Sequence, residues 1–216
     1  TREANIMEFQ FENILLQILM VLFPIVLFLT MFNTPLSSQK KKVTLGFICA
    51  ITMALSLAVP IYLREGIFID LRLVPWYIAF MYGGNAVGIY VTLFFIVVRF
   101  FIGGIGMVSA FTVLIVFTGI IQLFRKAYTR WILKKKIAFS VIFVTLASLS
   151  LIVLGYVVFN GEFTSTKMVI YSFFILESAV VTWLVVFLIE SYNEKLQLYE
   201  DIQRTEKLNV VGQLAA

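Results

Sequence analysis

Uncharged stretches about twenty residues long, each closed by charge, set the rhythm of this chain. They run over Asn13–Gln39, Val43–Leu63, Leu73–Val98, Phe100–Phe124 and Ile137–Gly161, and a sixth, Met168–Ile189, holds one acid, Glu177. A helix rises about 1.5 Å per residue, so each stretch matches the roughly 30 Å hydrocarbon core of a bilayer. The third differs from the rest: Gly83 and Gly84 interrupt its middle and an arginine closes each end, Arg72 and Arg99. Beyond Glu190 the chain turns polar. Leu188, Tyr192, Tyr199, Ile202, Leu208 and Val211 then recur at threes, fours or their sums, close to the seam of a coiled coil. The pattern predicts an all-α polytopic bundle of six to seven segments, one pair of them short and either re-entrant or crossing twice, followed by a polar helix. The alternative for that last helix is an amphipathic helix lying on the membrane surface.

Composition agrees with the pattern. The chain is 61% hydrophobic and 13% charged, with a mean hydropathy of +0.99, outside the range of a soluble domain. There is no histidine and a single cysteine, Cys49, inside an apolar stretch. An intrachain disulfide is excluded and no metal site is expected. The net charge of +5 reads as topology rather than nucleic-acid binding, because the bases sit beside the apolar stretches. Residues 1–6 read as a cloning remnant ahead of a start at Met7.

The bases also set the number of crossings. Lys40-Lys41-Lys42 and the run Arg125–Lys136 are both expected on the cytoplasmic side. Val43–Leu63 and Gly104–Phe124 each cross once, so the segment between Arg72 and Arg99 crosses zero times or twice. It is therefore a hairpin turning at Gly83-Gly84-Asn85, with arms short for a full span. Backbone freed at such a turn is tolerated only where protein or water covers it, and short glycine-broken arms often mark a binding site. Arg72 and Arg99 then converge on the outer side. The loops there, Arg64–Asp70 and Asn160–Lys167, are short, so a signal is read within or beside the membrane.

A ligand site of Arg72, Arg99, Asp70, Asn85, Ser109, Thr112 and Glu177 is expected from this geometry. Two guanidiniums at one cavity suit a small carboxylate, which arginine grips bidentately. Asp70 pairs with Arg72 when no ligand is present, and Gly103, Gly104 and Gly106 let the next helix start close to Arg99. Ser109 and Thr112 add hydroxyls one turn apart, and Glu177 is an ionisable group at membrane depth. The alternatives are structural: arginines that snorkel to headgroups, hydroxyls that bond backbone carbonyls, and a Glu177 facing a structural partner.

The ordered set Asp70-Leu71-Arg72, Tyr82-Gly83-Gly84, Arg99 and Gly103-Gly104-Ile105-Gly106 resembles the membrane sensor module of LytS-type five-transmembrane receptors, over about residues 40–160 with a helix on each side. The resemblance implies detection of an extracellular small molecule, in some members a carboxylate such as pyruvate, by arginines placed like Arg72 and Arg99. Some relatives carry a cysteine near Ala110. The run Glu206–Ala216, "EKLNVVGQLAA", resembles the entry to the dimerisation helix of histidine kinases, nearest to the sporulation type. This divides the chain into a membrane bundle over 7–189 and a cytoplasmic linker helix over 190–216. It also implies a multi-pass bacterial membrane protein with its C-terminus in the cytoplasm. The partners implied are the lipid bilayer, the ligand, a second copy through the last helix, and a response regulator. ATP with Mg would phosphorylate a histidine just past Ala216. These 216 residues hold no catalytic residue or cofactor of their own. A transporter's substrate-binding subunit, or the same sensor with another output such as a nucleotide cyclase, are the competing readings.

Overall fold

A computed structural model describes residues 2–31, 39–64, 67–104, 106–158 and 165–214. The elements are helices α1 (Arg2–Met31), α2 (Gln39–Ala58), strands β1 (Ile61–Arg64) and β2 (Ile67–Ile69), then α3 (Leu73–Ile78), which runs into a π-helical turn (Ala79–Gly83). Helices α4 (Asn85–Ile102), α5 (Met107–Tyr128), α6 (Leu133–Val158) and α7 (Ser165–Leu214) follow. Among the described residues, six helices are long and apolar enough to cross a membrane; α3 with its π turn forms a seventh, shorter apolar segment over Leu73–Gly83. The expected all-α bundle is the fold found, although only one of the two arms expected to be short is so.

The hairpin arms are unequal. The second, α4, has 18 residues and is long enough to cross on its own. The first spans Leu73–Gly83, about 17 Å of rise. It is preceded by a short β hairpin, formed from the end of the expected span Val43–Leu63 and the expected loop Arg64–Asp70. Strands β1 and β2 pair antiparallel, Ile61 opposite Ile69 and Tyr62 opposite Phe68. The pairing satisfies backbone groups that a bare loop at this depth would leave open. Ile61, Ile69 and Asp70 are buried, so the arm starts below the outer surface of the bundle.

At the inner turn, the amide of Gly84 donates to the carbonyls of Ala79 and Phe80 at 3.1 and 3.2 Å, the five-residue reach of a π turn. Gly84 itself has φ 105° and ψ 173°. That region is open essentially to glycine alone. The two arms then close on each other, with the Trp76 indole N–H donating to Thr92 Oγ1 at 2.9 Å. Gly88 lies directly against the Phe80 ring, leaving no room for a side chain.

Lys42, Arg125 and Lys136 line one cavity. The basic clusters therefore share one end of the bundle, as an even number of passes between Lys42 and Arg125 requires. A second difference concerns α7. The division expected at 189/190 falls within one helix: 50 residues, about 75 Å, carry the last apolar stretch and the polar tail together. It packs on α6 and α1. In that tail Tyr199, Ile202 and Leu208 are exposed. Helix α1 begins at Arg2, so it includes residues ahead of Met7.

Gly88→Ala should lower the melting temperature in detergent, since overpacking costs about 1–3 kcal/mol. Gly119→Ala, in α5 with nothing near its missing Cβ, should not lower it. Equal melting temperatures for the two variants would refute the close approach of the arms.

Candidate functional site

Taking a guanidinium into an apolar bundle requires replacing the water it loses. At Arg72 the replacement is Asp70. Its Oδ1 accepts from Arg72 Nε at 2.7 Å and from the Arg72 backbone N–H at 3.0 Å, while Oδ2 meets Arg72 Nη2 at 2.6 Å. The two-residue spacing allows one carboxylate to hold both the side chain and the backbone at the start of α3. Arg72 also lies over the Phe95 ring, 5.3 Å from its centroid, on the opposite arm. Asp70, Arg72 and Arg99 are 2, 3 and 1% exposed.

Both arginines are buried, Arg72 at the start of the first arm and Arg99 near the end of the second. Arg99, on α4, acts electrostatically on both Arg72 and Asp70. Asp70 in turn acts on Glu177 of α7. Asp70 and Arg72 at the strand-to-helix junction, Arg99 on α4 and Glu177 on α7 are all buried and within electrostatic reach of one another through Asp70. Neither carboxylate oxygen of Glu177 has a hydrogen-bond partner among the described residues.

The other expected members sit elsewhere. Asn85 lies at the far end of the hairpin, where its Oδ1 accepts from Arg125 Nη1 at 3.0 Å. Thr112 is exposed, bonds the Val108 carbonyl and lines an apolar groove with Leu149 and Val153. Ser109 is buried and donates to the Gly106 carbonyl at 3.0 Å, so its hydroxyl is used by its own helix.

Two groups of residues were not singled out from the sequence. Gln17, within the first apolar stretch, is fully buried; its Nε2 donates to the Val59 carbonyl at 2.7 Å and its Oε1 accepts the Leu71 amide at 3.2 Å. It ties α1 to both ends of the β hairpin. A lone amide in a membrane helix was the available signal. The second group lies at the tip. Tyr82 donates to Glu190 Oε1 at 2.8 Å, and Lys136 Nζ meets Glu190 Oε2 at 2.7 Å. The Tyr82 hydroxyl lies 3.1 Å from that of Tyr128, which is 3.1 Å from Ser140 Oγ. Ser140 also takes the Tyr77 hydroxyl at 2.8 Å. The hairpin is therefore joined to α7 near both of its ends, by charge at Glu177 and by hydrogen bonds at Glu190.

A family model described as 5TMR of 5TMR-LYT matches residues 23–192. No curated protein and no solved structure matches the chain. The match covers well over half of the sequence and extends beyond the 40–160 core anticipated for it. The chain belongs to the 5TMR-LYT family of membrane sensor domains.

Removing one partner of a buried ion pair strands the other, at a cost of about 3–5 kcal/mol. Asp70→Asn should therefore destabilise the protein strongly in thermal or chemical unfolding. Adding Arg72→Met should restore part of the loss, and strictly additive losses would show that the two side chains are not coupled.

Proposed function

We propose that this 5TMR-LYT domain is the sensing region of a bacterial two-component histidine kinase, reading a small anionic ligand from the outer side of the membrane. The observation that carries the reading is the buried meeting of Arg72 and Arg99 beside a helix, α7, that continues unbroken to Leu214. The positive-inside rule assigns the end holding Lys42, Arg125 and Lys136 to the cytoplasm. The arginine end then faces outward.

Asp70 occupies the fork of Arg72 as a ligand carboxylate would, so a carboxylate entering here competes with an internal one. Glu177 narrows the choice further. A second carboxylate without donors favours a ligand that carries a hydroxyl or ammonium beside its acid group, over one that carries only acceptors. The site is closed in this conformation, and admission of ligand requires its cover to move.

A ligand changes an equilibrium only through contacts that differ between two states. Exchange of Asp70 for a ligand carboxylate alters the charge facing Glu177 at one end of the hairpin. The tip, through Tyr82, holds Glu190 at the other. Helix α7 would carry the change to a dimeric kinase core, where Tyr199, Ile202 and Leu208 are free to form the seam between two copies. ATP with Mg would there phosphorylate a histidine, and the phosphoryl group would pass to a response regulator.

The test uses the parent kinase in proteoliposomes, with a panel that pairs keto acids with the matching hydroxy and amino acids. Arg99→Gln should weaken the response to an active compound about ten- to a hundred-fold, with Lys at that position recovering only part. Arg64→Gln, on β1, should change little. A parent-like response from the Arg99 variant would overturn the site assignment.

Relay and binding separate in a further variant. Tyr82→Phe should leave ligand affinity within about two-fold, because it lies at the far end of the hairpin, yet reduce the change in autophosphorylation on ligand addition. Parent-like autophosphorylation control in Tyr82→Phe would remove the tip contact from the relay.

A further inference from the structure

The cavity at the basic end of the bundle is not used by the reading above. It has a volume of about 310 Å³ and is lined by the hairpin tip and by α2, α5, α6 and α7. Three cations face it from three different helices: Lys42, Arg125 and Lys136. Of these, Lys136 is paired with Glu190. Arg125 bonds the neutral Asn85 amide oxygen, and its Nε is buried with no hydrogen-bond partner among the described residues. Lys42 makes no ion pair with any described residue. Glu190 is thus the one acid among the described residues that line the cavity, and Lys42 and Arg125 have no ion-pair partner among them. Neutral donors and acceptors complete the lining, among them Asn193 and the Tyr82 hydroxyl.

We infer that this cavity is a binding site for a phosphate monoester or inorganic phosphate, distinct from the arginine site. The charge decides the class. A phosphate with a titrating second proton carries about −1.5 to −2 near neutral pH and presents three oxygens, matching two uncompensated cations approaching from separate directions. A carboxylate offers one charge and one plane, and leaves one cation unanswered. Basic pockets between membrane helices on the cytoplasmic side also suit lipid headgroups. The same chemistry has two sources here: the headgroup of phosphatidic acid, or a soluble phosphate.

Occupancy has a local consequence. Lys136 is shared between the bound anion and Glu190, and Glu190 repels the anion. A phosphate drawn to Lys136 therefore weakens the hold of Lys136 and Tyr82 on Glu190 of α7. The binding itself does not depend on what the arginine site recognises, so failure of either assignment leaves the other standing.

The experiment measures thermal stabilisation of the whole chain in nanodiscs. One arm titrates inorganic phosphate and glycerol 3-phosphate into phosphatidylcholine discs. The other compares discs containing phosphatidic acid with phosphatidylcholine alone. Stabilisation in the first arm identifies a soluble phosphate, and in the second a headgroup. Lys42→Gln and Arg125→Gln should each weaken the effect about ten-fold or more, and Glu190→Gln should strengthen it. Lys134→Gln, exposed and outside the cavity, should leave it unchanged. Lys42→Gln alone decides the matter if the Arg125 variant does not fold. No stabilisation in either arm would overturn the proposal. So would a Lys134 variant as weak as the Lys42 variant, since that means diffuse surface charge, or a weaker effect in Glu190→Gln.

Discussion

The fold depends on one electrostatic constraint: Arg72 is placed where water is scarce, and Asp70 answers it directly. Effective desolvation of a buried ion amounts to several kcal/mol, and recovering it takes good geometry and further hydrogen bonds. Asp70 meets both conditions by gripping the guanidinium on two oxygens and capping the Arg72 amide as well. That grip requires the chain to turn sharply just below the outer surface. The β1–β2 pair, and Gln17 reaching across from α1, are what make such a turn possible among apolar helices.

The opposite end of the hairpin solves a related problem by a different route. A helix forced to stop inside a bundle leaves carbonyls without partners. The π turn lets one glycine amide serve two of them, and Gly84 then reverses the chain. Tyr82 is thereby presented to α7, where it shares Glu190 with Lys136. Charges at one end and tyrosines at the other hold a single short arm in register with the last helix.

Much of this was legible in the residues. The apolar stretches located the spans, and the parity of the basic clusters placed Arg72 and Arg99 at the same end of the bundle. Gly83-Gly84 marked the turn because few other residues tolerate it. The β hairpin was not legible: Ile61–Leu63 is as apolar as the helix before it, and strands of four and three residues carry too little alternation to be recognised. Asn85 and Thr112 were grouped with the arginines by closeness in sequence, but the hairpin puts thirteen residues of helix between Asn85 and Arg99, and Thr112 faces outward. The tyrosine chain was hidden for another reason. Tyr77, Tyr82 and Tyr128 are ordinary components of membrane helices, and only their convergence on Ser140 and Glu190 distinguishes them. The continuity of α7 across Glu190 was obscured because the change of solvent there resembles a boundary. Helical propensity does not register it.

Glu177 and Glu190 stand thirteen residues apart on α7. At about 100° per residue their directions differ by roughly 140°, so they leave the helix on opposing flanks of its buried stripe. Unequal loads on those flanks produce a torque about the long axis rather than a tilt or a piston stroke. Under the proposed relay, the motion this spacing favours in α7 is roll. Inserting one residue between Glu177 and Glu190 would throw them out of phase by about 100°, although every contact type survived. The spacing of the two glutamates is therefore as much a part of the device as their charge.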